Sequence, residues 1–296
     1  MSGQDTLDGM PTRLWSCTPT KLDTWLSCPR RFRFSYLDRR PKGPPWAHNS
    51  VGAAVHNALR DWWLLPVERR TPDGAEDLVA RSWLTDGFRD DAQAAQWRDR
   101  AATMTSAYVV TLDPHDEPAG VERTVGTATH GMALSGRVDR IDRRASADGG
   151  TELVIVDYKT GRHPLDDNDA KSSLALAVYV VAARRTLRTR SRRVELHHLP
   201  TGTVAAHEHT DESLERHLGR AGDIAVEASA AQDAWRSRLA DRAEDAAQGD
   251  AAAIEAIDAV FPARPGPSCS WCDFRRSCPA GREASTELAP WDGLAE

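Results

Sequence analysis

The stretch "TELVIVDYKTG", Thr151–Gly161, reads as a strand, and its far end carries the chemistry. Asp157 and Lys159 are two residues apart, so they project to the same side of that strand, and Leu153 and Ile155 continue this side toward the core. A carboxylate and an ammonium at the end of an apolar strand are costly unless they pair or line a cleft. Just upstream, "SGRVDRID" (Ser135–Asp142) sets Asp139 on what should be the neighbouring strand. Two carboxylates so placed can hold a hard divalent cation such as Mg2+ or Mn2+, with Lys159 left to orient an attacking water and offset phosphate charge. Taken alone, the D-x-K pattern also describes an ordinary salt bridge at a strand end.

Outward from this strand the pattern alternates. The residues "GTATHGMALSGRVDRIDRR" (126–144) have strand character, separated from Thr151 by the turn signal Asp148-Gly149-Gly150. Helical spacing follows over 171–188, and "RRVELHHLP" (192–200) is a further strand. On the N-terminal side, residues 76–112 are expected to be helical. "SVGAAVHNALRDWWLL" (50–65) forms a helix with Val51, Val55, Leu59 and Trp62 along one side and His56 beside them. A lone histidine in that position is ordinary on its own. Thr18 and Pro19 give a capped helix start ahead of Leu22, Trp25 and Leu26, and the alanine-rich, acidic stretch 208–258 should be helical.

Composition bounds the class. The 296-residue chain is 40% hydrophobic and 28% charged, ordinary for a globular protein with a sizeable core. It has no apolar run of about 18 residues and no basic-then-apolar leader, so a cytoplasmic protein with no membrane partner is expected. The formal net charge of -6 offers no global attraction for nucleic acid, so any such binding must be local. Two basic runs exist. One holds Arg30, Arg31, Arg33, Arg39, Arg40 and Lys42; the other holds Arg184, Arg185, Arg188, Arg190, Arg192 and Arg193.

The segment "FPARPGPSCSWCDFRRSCPAG" (261–281) is built of proline, glycine and cysteine and cannot be an ordinary helix or central strand. Cys269, Cys272 and Cys278 stand in C-x2-C-x5-C spacing, an incomplete soft-metal site. Cys28, which abuts Pro29 and a basic-aromatic run, is a better fourth ligand than Cys17 in what reads as an irregular leader. Spacing leaves zinc and an iron–sulfur cluster both open.

In this order, "CPRRFRFSYL", "GAAVHNAL", "SGRVDRID", "LVIVDYKTG", the helix bearing Tyr179 and the closing cysteine segment resemble the PD-(D/E)XK nuclease superfamily. The likeness is to its RecB-like exonuclease branch with a C-terminal iron–sulfur cysteine cluster. The resemblance implies a restriction-endonuclease-like α/β core, a mixed central sheet flanked by helices, with the N- and C-terminal segments joined by a metal cluster. It also implies His56, Asp139, Asp157 and the carbonyl of Tyr158 as ligands of Mg2+ or Mn2+, and Lys159 as the catalytic lysine. Cys28, Cys269, Cys272 and Cys278 become ligands of a 4Fe-4S cluster. Relatives often carry glutamine where this chain has Ala175, four residues before Tyr179, so substrate positioning should differ.

The expected organisation is an irregular leader (1–18), a single nuclease domain (19–281) and a flexible tail (282–296). Within the domain are an N-terminal cluster segment (19–47), a helical segment (48–118), the catalytic core (119–200), a second helical segment (201–260) and the cysteine segment (261–281). The expected activity is metal-dependent hydrolysis of DNA with little base preference, as an exonuclease acting on single strands or single-stranded ends in repair, recombination or processing. Arg30, Arg31 and Tyr179 would contact the substrate, with Arg275 and Arg276 further candidates near the cluster. Trp271 either stacks on a base or shields the cluster. The competing reading is a non-catalytic iron–sulfur DNA-binding protein or nuclease-complex subunit with a degenerate site.

Overall fold

A computed structural model describes residues 14–146, 149–244 and 251–294, with main chain only at 238–244 and 251–255. The chain runs β1 (Trp15–Cys17), α1 (Pro19–Ser27), α2 (Pro29–Phe32), α3 (Ala47–Leu64), α4 (Pro72–Ser82), α5 (Asp91–Val109), β2 (Gly120–Thr129), β3 (Met132–Ala145) and β4 (Thr151–Lys159). It continues with α6 (Asp167–Ser172), α7 (Leu174–Leu187), β5 (Ser191–His198), β6 (Thr203–Glu208), α8 (Asp211–Glu244), α9 (Ala251–Val260) and α10 (Pro279–Ala284). Cys269 lies in a short 3-10 turn, Pro267–Trp271, with Cys272 directly after it, and Cys278 follows a second such turn, Arg275–Ser277. This is the expected mixed α/β architecture. Among the described residues no helix is long and apolar enough to cross a membrane.

Strand β3 organises the mixed sheet. Along one edge, from Met132 to Ile141, it pairs with antiparallel β2 through a two-residue turn, His130-Gly131, whose residues both have positive φ (48° and 72°) as a tight hairpin requires. Its other edge is shared. Met132–Leu134 pair with parallel β1, and Arg140–Ala145 pair with antiparallel β4, so residues 135–139 have no strand partner on that side. From β4 the sheet extends through parallel β5 to antiparallel β6.

Strand β4 is buried on both faces. Val154, Val156 and Tyr158 pack with α3, α4 and α5, whereas Leu153 and Ile155 pack with α7 and β5. On α3, Val51, Val55, Leu59 and Trp62 are all buried, which is the side the periodicity predicts. A third cluster joins the chain ends, where the rings of Trp25 and Phe32, and of Trp25 and Phe261, meet edge-on.

Several expectations need correction. The leader is not irregular at its end, because Trp15–Cys17 form β1, with Cys17 buried at 2% exposure; residues 1–13 of that leader lie outside the described residues. The stretch 76–112, expected to be helical, is helical in two pieces, α4 and α5, with a non-helical break between them near Gly87, whose φ is +84°. The stretch 126–144 is not one strand, since it contains the His130-Gly131 hairpin. The segment 201–260 is not all helical, because β6 pairs with β5 at its start. The tail is docked: Ala47 N–H donates to Pro290 O at 3.0 Å, and Trp291 and Leu294 pack on the core beside α3. Asp148 of the expected turn lies outside the described residues.

Gly136 sits in the stretch of β3 that lacks a partner on the edge shared by β1 and β4, and a Cβ there would collide with Cε1 of Tyr179. Gly136→Ala should cost about 1–3 kcal/mol by overpacking. Denaturant unfolding should show that cost falling sharply in a Tyr179→Ala background, where the collision is gone.

Candidate active site

The break in β3's pairing creates the site. Beyond the last β3–β4 rung the carboxylate of Asp139 takes over, its Oδ2 accepting the N–H of Tyr158 at 2.8 Å. The bond fixes the Asp139 side chain and leaves Oδ1 turned toward helix α3, 3.5 Å from His56 Nδ1. Helix α3 approaches the end of β4 closely. At Gly52 a Cβ would stand 3.3 Å from Thr160 Oγ1.

A third carboxylate comes from β2. The hairpin register pairs Val121 with Arg140 and Arg123 with Val138, which sets Glu122 across from Asp139. Glu122 has φ of +46°, a left-handed conformation that costs a non-glycine residue about 1–2 kcal/mol. The sheet's alternation breaks at the same level, since Val138 and Ile141, three residues apart, are buried in one cluster. Glu122 Oε1 lies 4.0 Å from His56 Nδ1, and Oε2 pairs with Arg137 at 2.9 Å. Among the described residues, His56, Glu122 and Asp139 form the one set of three His, Cys, Asp or Glu side chains with ligand atoms all within 4.8 Å of one another.

On β4, Lys159 Nζ stands 2.6 Å from Asp157 Oδ2. The ring of Tyr158 points the other way, edge-on to His56 at 5.8 Å, and its hydroxyl meets Arg140 Nη1 at 3.3 Å. Arg140 also ties to Tyr108 and Asp142, and Tyr108 bonds His197, so the site rests on a buried polar network. Tyr179 reaches over from α7, and burial, then the charges of Asp157 and Asp139, push its phenol up to about 12. It is therefore a neutral hydroxyl donor at physiological pH.

Electrostatics show what the site wants. Burial pushes the Asp157 carboxyl up, and Lys159 only partly offsets this while Asp139 adds to it. Burial and Asp139 likewise raise Glu122 against the pull of Arg137 and His56. Burial alone would lower His56, but its hydrogen bond to Asp139 and the charges of Asp139, Asp157 and Glu122 raise it overall. Crowded carboxylates that resist ionisation, beside an imidazole that gains a proton, describe a deficit of positive charge. A divalent cation on oxygen and imidazole donors fits that deficit.

All four expected residues, His56, Asp139, Asp157 and Lys159, thus meet at one place. Glu122 joins them unforeseen. The signal was present, since recognising His130-Gly131 as a two-residue turn sets the register and places Glu122 opposite Asp139.

The cysteines gather elsewhere. Cys28, Cys269, Cys272 and Cys278 line one cavity together with Arg31, Phe34 and Phe274, and all four are free thiols. Arg264 N–H points at Cys28 Sγ at 3.5 Å, and Gly281 lies against Cys278 Sγ. No three of their sulfurs meet within 4.8 Å. Cys17 is in β1, away from this cavity, and burial pushes its thiol up to about 11. Arg30, expected on the substrate, is spent internally: it donates to the carbonyls of Phe261 and Asp258 and pairs with the Asp258 carboxylate at 2.9 Å. Arg275 and Arg276 pair with Glu287. Trp271 packs on Trp46 and His48 and is 39% exposed.

Glu122 and Asp157 have raised folded pKa values, so ionising them on the way to neutral pH destabilises the metal-free fold; His56, also raised, stabilises below 6.5 and loses that contribution as pH rises. Glu122→Gln should therefore raise the metal-free melting temperature at pH 7, by about 2–4 °C for each ~1 kcal/mol of repulsion relieved. The same substitution should shrink the rise that Mn2+ produces. Mn2+ affinity of the unaltered protein should climb as pH passes upward through 6.5 and beyond, as the proton leaves His56. Calorimetry in buffers of differing ionisation enthalpy reads the proton release directly.

Solved structures distantly similar to the chain include two from which it differs in most of its sequence. One is a protein from Eubacterium rectale named "Putative exonuclease", 11% identical over 69% of this chain and 76% of that one, with a TM-score of 0.40. The other is SSO0001, 12% identical over 92% and 89%, with a TM-score of 0.34. No curated protein matches significantly. A family profile for the PD-(D/E)XK nucleases matches residues 16–279, a span that takes in strands β2 to β6, most of β1 and all five cysteines, and the chain belongs to the PD-(D/E)XK nuclease superfamily.

Proposed function

We propose that the protein is a divalent-metal-dependent deoxyribonuclease of the RecB-like kind, an exonuclease that works from single-stranded DNA or single-stranded ends with little base preference. Repair, recombination or DNA processing in the cytoplasm is its setting. The observation that carries this reading is the convergence of His56, Glu122, Asp139, Asp157 and Lys159 at the unpaired stretch of β3. His56, Asp139, Asp157 and Glu122 would hold Mg2+ or Mn2+, with the Tyr158 carbonyl as a further donor. When bound, the cation supplies Lewis acidity and charge neutralisation at a scissile phosphate.

The chain's own groups do the rest. Lys159, held by Asp157 yet 43% exposed, is placed to orient the attacking water and offset charge on a nonbridging oxygen. Tyr179 can donate its hydroxyl hydrogen to the phosphate. With Ala175 in place of a hydrogen-bonding side chain, that donor stands without a polar neighbour one helical turn earlier on α7. Arg31 and the side chains near the cysteine cavity offer phosphate contacts that do not read bases.

We further propose a 4Fe-4S cluster on Cys28, Cys269, Cys272 and Cys278. Four free thiols from both ends of the chain lining one cavity are the observation that supports this ligand set. Such a cluster would fasten the N-terminal segment to the C-terminal one, where Arg30 and Arg33 already pair with Asp258.

End-labelled single- and double-stranded DNA incubated with Mg2+ or Mn2+ tests the activity, its polarity and its strand preference together. Lys159→Ala should keep the fold and DNA binding and lose about 10²–10³-fold in cleavage rate; wild-type rates in that variant would remove Lys159 from the mechanism. Cys28→Ser should lose iron and sulfide in anaerobic preparations and expose residues 20–40 and 262–281 to protease, whereas Cys17→Ser should be nearly silent. Stoichiometric zinc without iron in the unaltered protein would replace the cluster with a structural zinc site.

A further inference from the structure

Trp271, between Cys269 and Cys272 in sequence, is the one exposed tryptophan of the chain's ten, at 39% exposure. An indole so placed leaves a large apolar ring uncovered, and its neighbours bear on what the exposure is for. It does not shield the thiols. Phe34 and Phe274 do, both buried and meeting edge-on at 5.7 Å in the wall of the cavity that the four cysteines line, a wall in which Trp271 has no part.

The ring is seated instead at the head of α3. Its centroid lies 5.2 Å from that of Trp46 and 5.7 Å from that of His48. Trp46 is itself tied down, its indole N–H donating to Asp273 Oδ1 at 3.2 Å. Gly293, from the tail, closes on both Trp271 and His48: a Cβ there would stand 2.6 Å from His48 Nδ1 and 3.1 Å from Trp271 Cζ3. The ring is therefore held still before any ligand arrives, and little rotamer freedom is left to lose on binding.

Place and surroundings narrow the ligand. His48 and His56 both lie on α3, about 12 Å apart along the axis at 1.5 Å per residue. A stacked strand covers that distance in three to four nucleotides at about 3.4 Å each. In the two segments that meet here, 40–50 and 261–281, no other large apolar side chain is exposed, so a protein partner finds no broad patch. One bare ring is enough for a base, since stacking uses only the base's own face. Paired bases in a duplex spend those faces on one another.

We propose that Trp271, backed by Trp46 and His48, stacks on one unpaired base of single-stranded DNA a few nucleotides from the scissile phosphate. The proposal rests on the nuclease reading for the identity of the polymer and deepens it by naming a side chain that separates single strand from duplex; its test is one of binding, not cleavage. By fluorescence anisotropy in Ca2+, Trp271→Ala should bind a labelled oligothymidylate roughly 5- to 100-fold more weakly, the range for losing one aromatic stack. Trp271→Phe should recover most of that affinity, and a blunt duplex should bind all three proteins equally. Acrylamide should quench the exposed indole of the unaltered protein and the oligothymidylate should protect it, an effect missing from Trp271→Phe. Melting temperature and metal content should match across the three.

Full single-strand affinity in a well-folded Trp271→Ala protein would overturn the stacking platform. A loss shared equally by single strand and duplex, with bound metal or melting temperature falling alongside, would make the ring structural and overturn it as well. A protein that grips single strands through Trp271 and cleaves nothing would leave the platform standing and overturn the nuclease reading instead.

Discussion

The site depends on one hydrogen bond, in which a side-chain carboxylate replaces a main-chain carbonyl. Where β3 and β4 separate, Tyr158 N–H would be left without an acceptor in a buried setting, at a cost of about 1–3 kcal/mol. Asp139 Oδ2 accepts it instead. The substitution satisfies the strand end and at the same time orients the remaining oxygen toward α3. Because β3 spends one edge on two different strands, the unpartnered stretch between them is the part of it open to visitors from outside the sheet. Tyr179 enters over Gly136, and His56 arrives from helix α3.

The same sharing of partners joins the chain ends. Arg30 and Arg33 reach Asp258, Trp25 meets Phe261, and Asp273 accepts the indole N–H of Trp46 while its carbonyl takes Gly43 N–H. Segments more than two hundred residues apart in sequence are thereby held side by side, which brings Cys28 to the other three cysteines. The basic run near Cys28 is largely engaged in this work. Density of arginine in a sequence says where charge is, and only pairing says whether it is available.

How much of this could be read beforehand depends on the kind of constraint. The pair Asp157 and Lys159 was legible because a strand's period of two is rigid, and the apolar side of α3 was legible from its spacing. Thr18 accepts Lys21 N–H as a helix cap should. Glu122 was missed because its place relies on a turn, His130-Gly131, that lacks the usual asparagine or aspartate, and on a left-handed backbone that no side-chain pattern announces. Strand β6, only six residues of alternating weak character, was hidden beside a long helix, and β1 is stable only because β3 offers an edge. The ordered tail was invisible for a similar reason, since Trp291 and Leu294 are apolar residues whose partners lie on α3 and around it.

That docked tail bears on how the protein comes into being. Pro290 accepts the N–H of Ala47, the first residue of the helix that carries His56, and Gly293 lies against His48 one residue further on. A chain emerging from the ribosome can form α3 early, but it cannot seat the head of that helix until residues 290–293 have followed it out. Synthesis proceeds at about 5–20 residues per second, so for tens of seconds the nascent protein holds its carboxylates without the finished frame around them. This member of the nuclease superfamily is in this way assembled with the brace of its histidine helix arriving long after the helix itself, and a chain cut short before Pro290 never receives it.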